Sequence, residues 1–132
     1  MTLQEKIDTF DISVLPDTIA EGRVYKIHAY GDLETDGFEV GFLYLTKDSF
    51  VKEHIHTDNI EMYRLLKGDL VVNGTSMNNN ICLLNESHLI DKVSIDTIVC
   101  TCKISKEFIK QNGVEEEFNT NIDKVLKMIK ED

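Results

Sequence analysis

The chain is poor in basic residues, poor in cysteine and without a long apolar run, and each shortage removes a class of function. Lys and Arg together number 14 against 24 Asp and Glu, a formal net charge of -10 at pH 7. No cluster of Lys or Arg occurs, so nucleic acid and anionic membrane surfaces are not expected as partners. Nowhere do about 18 apolar residues follow one another, as a membrane-spanning helix would need. The first ten residues carry Gln4, Glu5, Lys6 and Asp8 and form no apolar signal core. Cysteine occurs three times, at Cys82, Cys100 and Cys102, an odd count without Cys-x-x-Cys spacing. The expectation is a cytoplasmic protein with reduced thiols.

What is present is enough for one domain. The 132 residues, 42% of them hydrophobic, can bury a core without disulfides. Short candidate strands follow one another at Val24 to Tyr30, Phe38 to Thr46, Phe50 to His56, Met62 to Lys67, Leu70 to Asn73, Ile81 to Leu84, His88 to Val93 and Thr97 to Ile104. Turn signals separate them: Gly31-Asp32, Asp36-Gly37, Gly68-Asp69, Asn73-Gly74 and Asn78-Asn79-Asn80. The pattern predicts an all-β sandwich or barrel. After it the period changes. Ile122, Val125, Leu126 and Ile129 recur at helical spacing, with Asn119, Thr120 and Asn121 available as N-caps. A shorter helical turn is expected at Lys106 to Gln111, and Glu115-Glu116-Glu117 reads as a solvated loop. These helices are expected to close one end of the barrel or to join a dimer contact.

The segment richest in chemistry runs from Glu53 to Gly68. On a strand, side chains alternate faces, so His54 and His56 point the same way, roughly 7 Å apart. Four residues then turn the chain and Glu61 opens the next strand. If that strand pairs antiparallel beside the first, the carboxylate falls near both imidazoles. Imidazole plus carboxylate suits iron, manganese, nickel or zinc. Solvent-exposed coincidence is the competing reading.

This segment resembles the first motif of the cupin superfamily, G-x5-H-x-H-x3,4-E-x6-G, with His54, His56, Glu61 and Gly68 in register. The initial Gly falls at Asp48, a departure that touches a turn and not a ligand. The second motif, G-x5-P-x-G-x2-H-x3-N, would add His88, although Met77, Leu83, Asn85 and Lys92 stand where the family has Gly, Pro, Gly and Asn. The resemblance implies a small single-domain cupin barrel (double-stranded β-helix or jelly roll) spanning 1–132, its core about residues 25–104 and its C-terminal helical segment about 105–132. It implies one divalent transition metal on His54, His56, Glu61 and His88, with open positions for a ligand. It also implies a homodimer, joined through outer sheet faces.

Around these ligands, Tyr63 shares the face of Glu61 and could line a pocket or act in catalysis; core packing is as good a reading. Tyr44 could line it too, though core packing is favoured. His28 has no partner pattern and reads as an ordinary histidine. Cys100 and Cys102 alternate with Ile98 and Ile104 on one strand face, the mark of buried thiols. Glu53 and Asp58 could accept imidazole N–H groups. The leading functional reading is a metal-dependent enzyme of isomerase, dioxygenase or decarboxylase type acting on a small polar metabolite. A non-enzymatic small-molecule binding or sensing module, and a degenerate metal-free barrel, are the alternatives.

Overall fold

The computed structural model describes residues 5, 9–55, 58–77, 81–84, 87–107 and 114–130. In chain order these form β1 (Asp11–Val14), β2 (Ala20–Glu21), β3 (Val24–Asp32), β4 (Phe38–Leu45), β5 (Phe50–His54) and β6 (Asn59–Lys67). There follow β7 (Val71–Val72), β8 (Thr75–Ser76), β9 (Ile81–Leu84), β10 (His88–Ile90), β11 (Thr97–Ser105) and a helix, α1 (Val114–Lys130). All strand pairs are antiparallel. They make two sheets, a six-stranded one in the order β1-β3-β4-β11-β6-β9 and a five-stranded one in the order β2-β5-β10-β7-β8. The expected all-β architecture is what the chain forms. β1, β2 and β8, short segments with weak alternation, were not expected.

Strand alternation builds two cores from the larger sheet. In β11, Ile98, Cys100, Cys102 and Ile104 point to one side, and Thr97, Val99, Thr101 and Lys103 to the other. The first side joins Ile27, Val40, Phe42 and Met62 in a cluster completed by Phe118, Ile122, Val125 and Leu126 of α1. The second side joins Val24, Leu43, Leu45 and Tyr63 and meets Ala20, Val51, Val72 and Ile90 of the smaller sheet. Each fully buried side chain of this size stabilises by roughly 1.5–3 kcal/mol. α1 therefore covers the outer face of the six-stranded sheet; it does not close an end of the sandwich.

The helix also begins earlier than expected, at Val114, so the acidic run at 115–117 is helical. Thr120 and Asn121 do not cap it. Their side chains donate one turn back, Thr120 Oγ1 to the Glu116 carbonyl (2.9 Å) and Asn121 Nδ2 to the Glu117 carbonyl (3.0 Å). Tyr30 of β3 donates its hydroxyl to the Asn121 carbonyl at 2.9 Å, tying helix to sheet. Of the expected turn at 106–111, Lys106 and Glu107 form a turn, and the remainder lies outside the described residues, as does the Asn78-Asn79-Asn80 turn.

Three turns fell where the sequence placed them, Asp36-Gly37 before β4 among them, whereas Gly31-Asp32 lies inside β3. Asn73-Gly74 links β7 to β8, with Val72 facing Thr75. Gly68 ends β6 at φ 104°, and a Cβ there would lie 2.6 Å from the Thr97 Cα. Only glycine serves both the left-handed backbone and the close approach of β11.

Candidate functional site

Three side chains with metal-ligating atoms converge between the sheets. His54 ends β5 and His88 opens β10, and the two face each other as partners in the five-stranded sheet. Their rings meet edge to face with centroids 4.3 Å apart. Glu61 arrives from β6 of the other sheet. One ligating atom from each of the three lies within 4.8 Å of the other two. His88 Nε2 stands 3.5 Å from Glu61 Oε1, and Lys103 Nζ 3.9 Å from Glu61 Oε2. Glu61 is 3% exposed and His88 1%. A carboxylate so buried needs cationic or hydrogen-bonding company, and the histidine and Lys103 surround it.

The route to this cluster differs from the sequence expectation. The strands carrying His54 and Glu61 are not a hairpin pair. Both edges of β6 are taken, by β11 and β9, and both edges of β5, by β2 and β10. Glu61 consequently reaches His54 across the gap between sheets. His56 lies outside the described residues.

The His54 ring is oriented by the backbone. Its Nδ1 is 2.8 Å from the Lys52 carbonyl oxygen. A carbonyl only accepts, so Nδ1 carries the proton and Nε2 the lone pair, the arrangement of a ligating imidazole. Neither carboxylate expected as its acceptor serves in that way. Glu53 Oε1 accepts from Ser87 Oγ at 2.9 Å. Asp58 is exposed, and its backbone carbonyl accepts from the Lys106 N–H.

Two of the three, His54 and Glu61, line a cavity of about 320 Å³, at the small end for ligand pockets; His88 stands behind them. Tyr63 lines the cavity, 2% exposed, its ring perpendicular to that of His88 with centroids 6.0 Å apart. Tyr44 does not. Its side chain lies on the opposite face of β4, packed against the helix-side core, edge-on to Tyr25, with its hydroxyl donating to Asp96 Oδ2 at 3.2 Å. His28, read as ordinary, does line the cavity, and its Nε2 donates to the Gly31 carbonyl at 2.6 Å.

Lys26, Glu39, Thr101 and Lys103 also line the cavity and were missed. The signal for two of them was in the sequence. If Cys100, Cys102 and Ile104 form the buried face of β11, then Thr101 and Lys103 must face the other way. Cross-strand register then sets Lys103 between Glu39 of β4 and Glu61 of β6. The thiols are core groups, as expected. Burial pushes Cys100 up to about 12 and raises Cys102 as well, with Cys100, Glu61 and Glu117 adding to the second shift.

No protein-family model and no curated protein matches the sequence. Solved structures do match the fold. A predicted oxalate decarboxylase of Thermotoga maritima superposes with a TM-score of 0.63 at 20% identity, covering 75% of this chain and 96% of its own. An acetylacetone dioxygenase of Acinetobacter johnsonii gives 0.55 at 17% identity, covering 70% of this chain and 67% of that one. A cupin-like protein of Thermotoga maritima gives 0.59 at 10% identity, covering 75% and 80%. Identities this low speak for a shared chain path and nothing finer.

Proposed function

Starting from a chain with the cupin fold, we propose that it holds one divalent transition metal on His54, Glu61 and His88 and uses it to turn over a small metabolite. The observation that carries this reading is the convergence, within 4.8 Å, of two imidazoles and a carboxylate supplied by both sheets, two of them, His54 and Glu61, lining a cavity. Two nitrogens and a carboxylate oxygen suit iron, manganese, nickel or zinc. His56, two residues beyond His54, is the fourth donor by sequence spacing. When bound, the ion supplies Lewis acidity to an oxygen-bearing ligand.

The chain's own groups do the rest. The Lys52 carbonyl holds the His54 ring in the ligating tautomer. Lys103 stands beside the Glu61 carboxylate at the cavity wall, its Nζ 3.9 Å from Oε2. Tyr63 presents its side chain to the cavity, where its hydroxyl can donate to a ligand oxygen or move a proton. Glu61 and His88 are nearly closed to solvent, which strengthens the charge interactions there.

The test has two stages. Protein purified without a tag and analysed for elements is expected to carry about one equivalent of transition metal, and His54→Ala, His88→Ala and Glu61→Gln to lose most of it. A wild-type chain that takes up no iron, manganese, nickel or zinc would sink the proposal. Because a predicted oxalate decarboxylase and an acetylacetone dioxygenase are among the structural neighbours, turnover is sought first with small oxo acids and β-dicarbonyls, with and without oxygen. Metal without turnover on any of them would favour a binding module.

A further inference from the structure

From the charges and walls of the cavity we infer its ligand class, a small carboxylate bearing a short hydrocarbon tail; this rests on the metal reading above. The lining holds both ionic and apolar side chains. His54, Glu61, Lys103 and Glu39 belong to one ionic patch, with Glu39, Lys103 and Glu61 in a cross-strand row over β4, β11 and β6. Leu15, Ile19, Leu43, Val51 and Ile55 supply a hydrocarbon wall. Two of these, Ile19 at 41% and Ile55 at 58% exposed, are large apolar side chains left open to solvent. A wholly polar metabolite would leave that wall wetted.

The charge count fixes the sign. Among the described residues, the ionic side chains lining the cavity are Lys26 and Lys103 against Glu39 and Glu61, which cancel. A divalent ion on the cluster leaves two positive charges in excess, in a chain whose overall charge is -10. The protein as a whole repels anions, so an anion is held there by local charge alone. Lys103 brings its ammonium to the edge of the cluster, 3.9 Å from Glu61 Oε2. It is positioned to take a carboxylate oxygen while the tail lies along Val51, Ile19 and Ile55.

Binding to zinc-loaded protein separates the outcomes, with acetate, butyrate, hexanoate and hexanamide as probes in titration calorimetry. Affinity is expected to rise about fourfold per methylene from acetate to hexanoate. Hexanamide, equal in shape but neutral, is expected to bind at least tenfold more weakly than hexanoate, a comparison that needs no variant. Compared at equal measured zinc loading, Lys103→Gln should weaken hexanoate about tenfold, and Lys103→Arg should restore most of the loss. Equal binding of hexanoate and hexanamide, no gain with chain length, or an unchanged Kd in Lys103→Gln would each overturn the inference while leaving the metal centre standing. A wild-type chain that takes up none of iron, manganese, nickel or zinc takes both down.

Discussion

Asp48 and the buried thiols show how much single residues carry in this molecule. Asp48 has φ 70°, in the left-handed region that costs an ordinary side chain roughly 1–2 kcal/mol and that aspartate tolerates better than most. Its N–H donates to the Val93 carbonyl at 2.9 Å, which holds the turn before β5. The resemblance places glycine at this position. Asp48→Gly should relieve the backbone while adding chain entropy to the unfolded state, for a net gain of about 0.5 kcal/mol. The expected sign is a melting temperature higher by a few degrees with metal content unchanged, read by calorimetry and elemental analysis; a lower melting temperature contradicts it. Cys100 gives a pH prediction. Burial lifts its folded value from 9.0 to about 12, so the folded chain keeps a proton that the unfolded chain sheds. That stability is fully present below pH 9 and is lost as pH climbs from 9 towards 12. The urea midpoint should therefore fall across that window, and fall less steeply in Cys100→Ala. Iodoacetamide at about pH 8 should label Cys100 and Cys102 only after unfolding.

At the scale of elements, β11 and α1 do most to define the architecture. β11 pairs along its length with β4 on one side and β6 on the other, so its two faces set the composition of both cores. One face is apolar and covered by α1; the other carries Thr101 and Lys103 into the cavity. Phe118 and Ile122, four apart on the helix, are both fully buried against the sheet. Phe118→Ala should cost about 3–5 kcal/mol. Because this face is opposite the cavity, folded Phe118→Ala protein at low temperature should retain its metal; loss of metal before loss of the fold would refute that separation. The same helix occupies the outer face of the six-stranded sheet, the kind of face through which the resemblance would bring two copies together. Arg64 of β6 fastens it further through Asp123, at 3.2 Å, an exposed pair worth little by itself.

For the whole molecule, the decisive feature is that the His54, Glu61 and His88 cluster spans the sandwich. His54 and His88 belong to one sheet and Glu61 to the other. A metal that binds only the folded chain stabilises it by about 2.7 kcal/mol at a hundredfold excess over Kd. In a domain of this size that amounts to roughly 10 °C in melting temperature. Glu61→Gln, which removes the second sheet's contribution, should abolish most of that rise. A melting temperature indifferent to added zinc or manganese would deny the cross-sheet link.

Local patterning made much of this legible in advance. Alternation over Thr97–Ser105 and Phe38–Leu45 reflects which side chains must leave water, and a strand's period of two translates that need directly into sequence. The spacing of His54 and Glu61 likewise marked residues that the fold brings together, with His88 added only by the family resemblance and His56 outside the described residues; Gly68 marked a turn that a Cβ would obstruct. What sequence reading could not supply was the choice of partner for each strand. β5 and β6 are neighbours in the chain yet lie in different sheets, because their edges are claimed by strands distant in sequence, and edge hydrogen bonds are blind to chain order. The tertiary structure also decided that Tyr44 turns away from the cavity while His28 and Lys103 turn into it. It set the start of α1 at Val114, where packing of Phe118 on the sheet outweighs the capping preference of Asn119 to Asn121. Burial and pairing between remote segments settle these matters, and no local spacing records them.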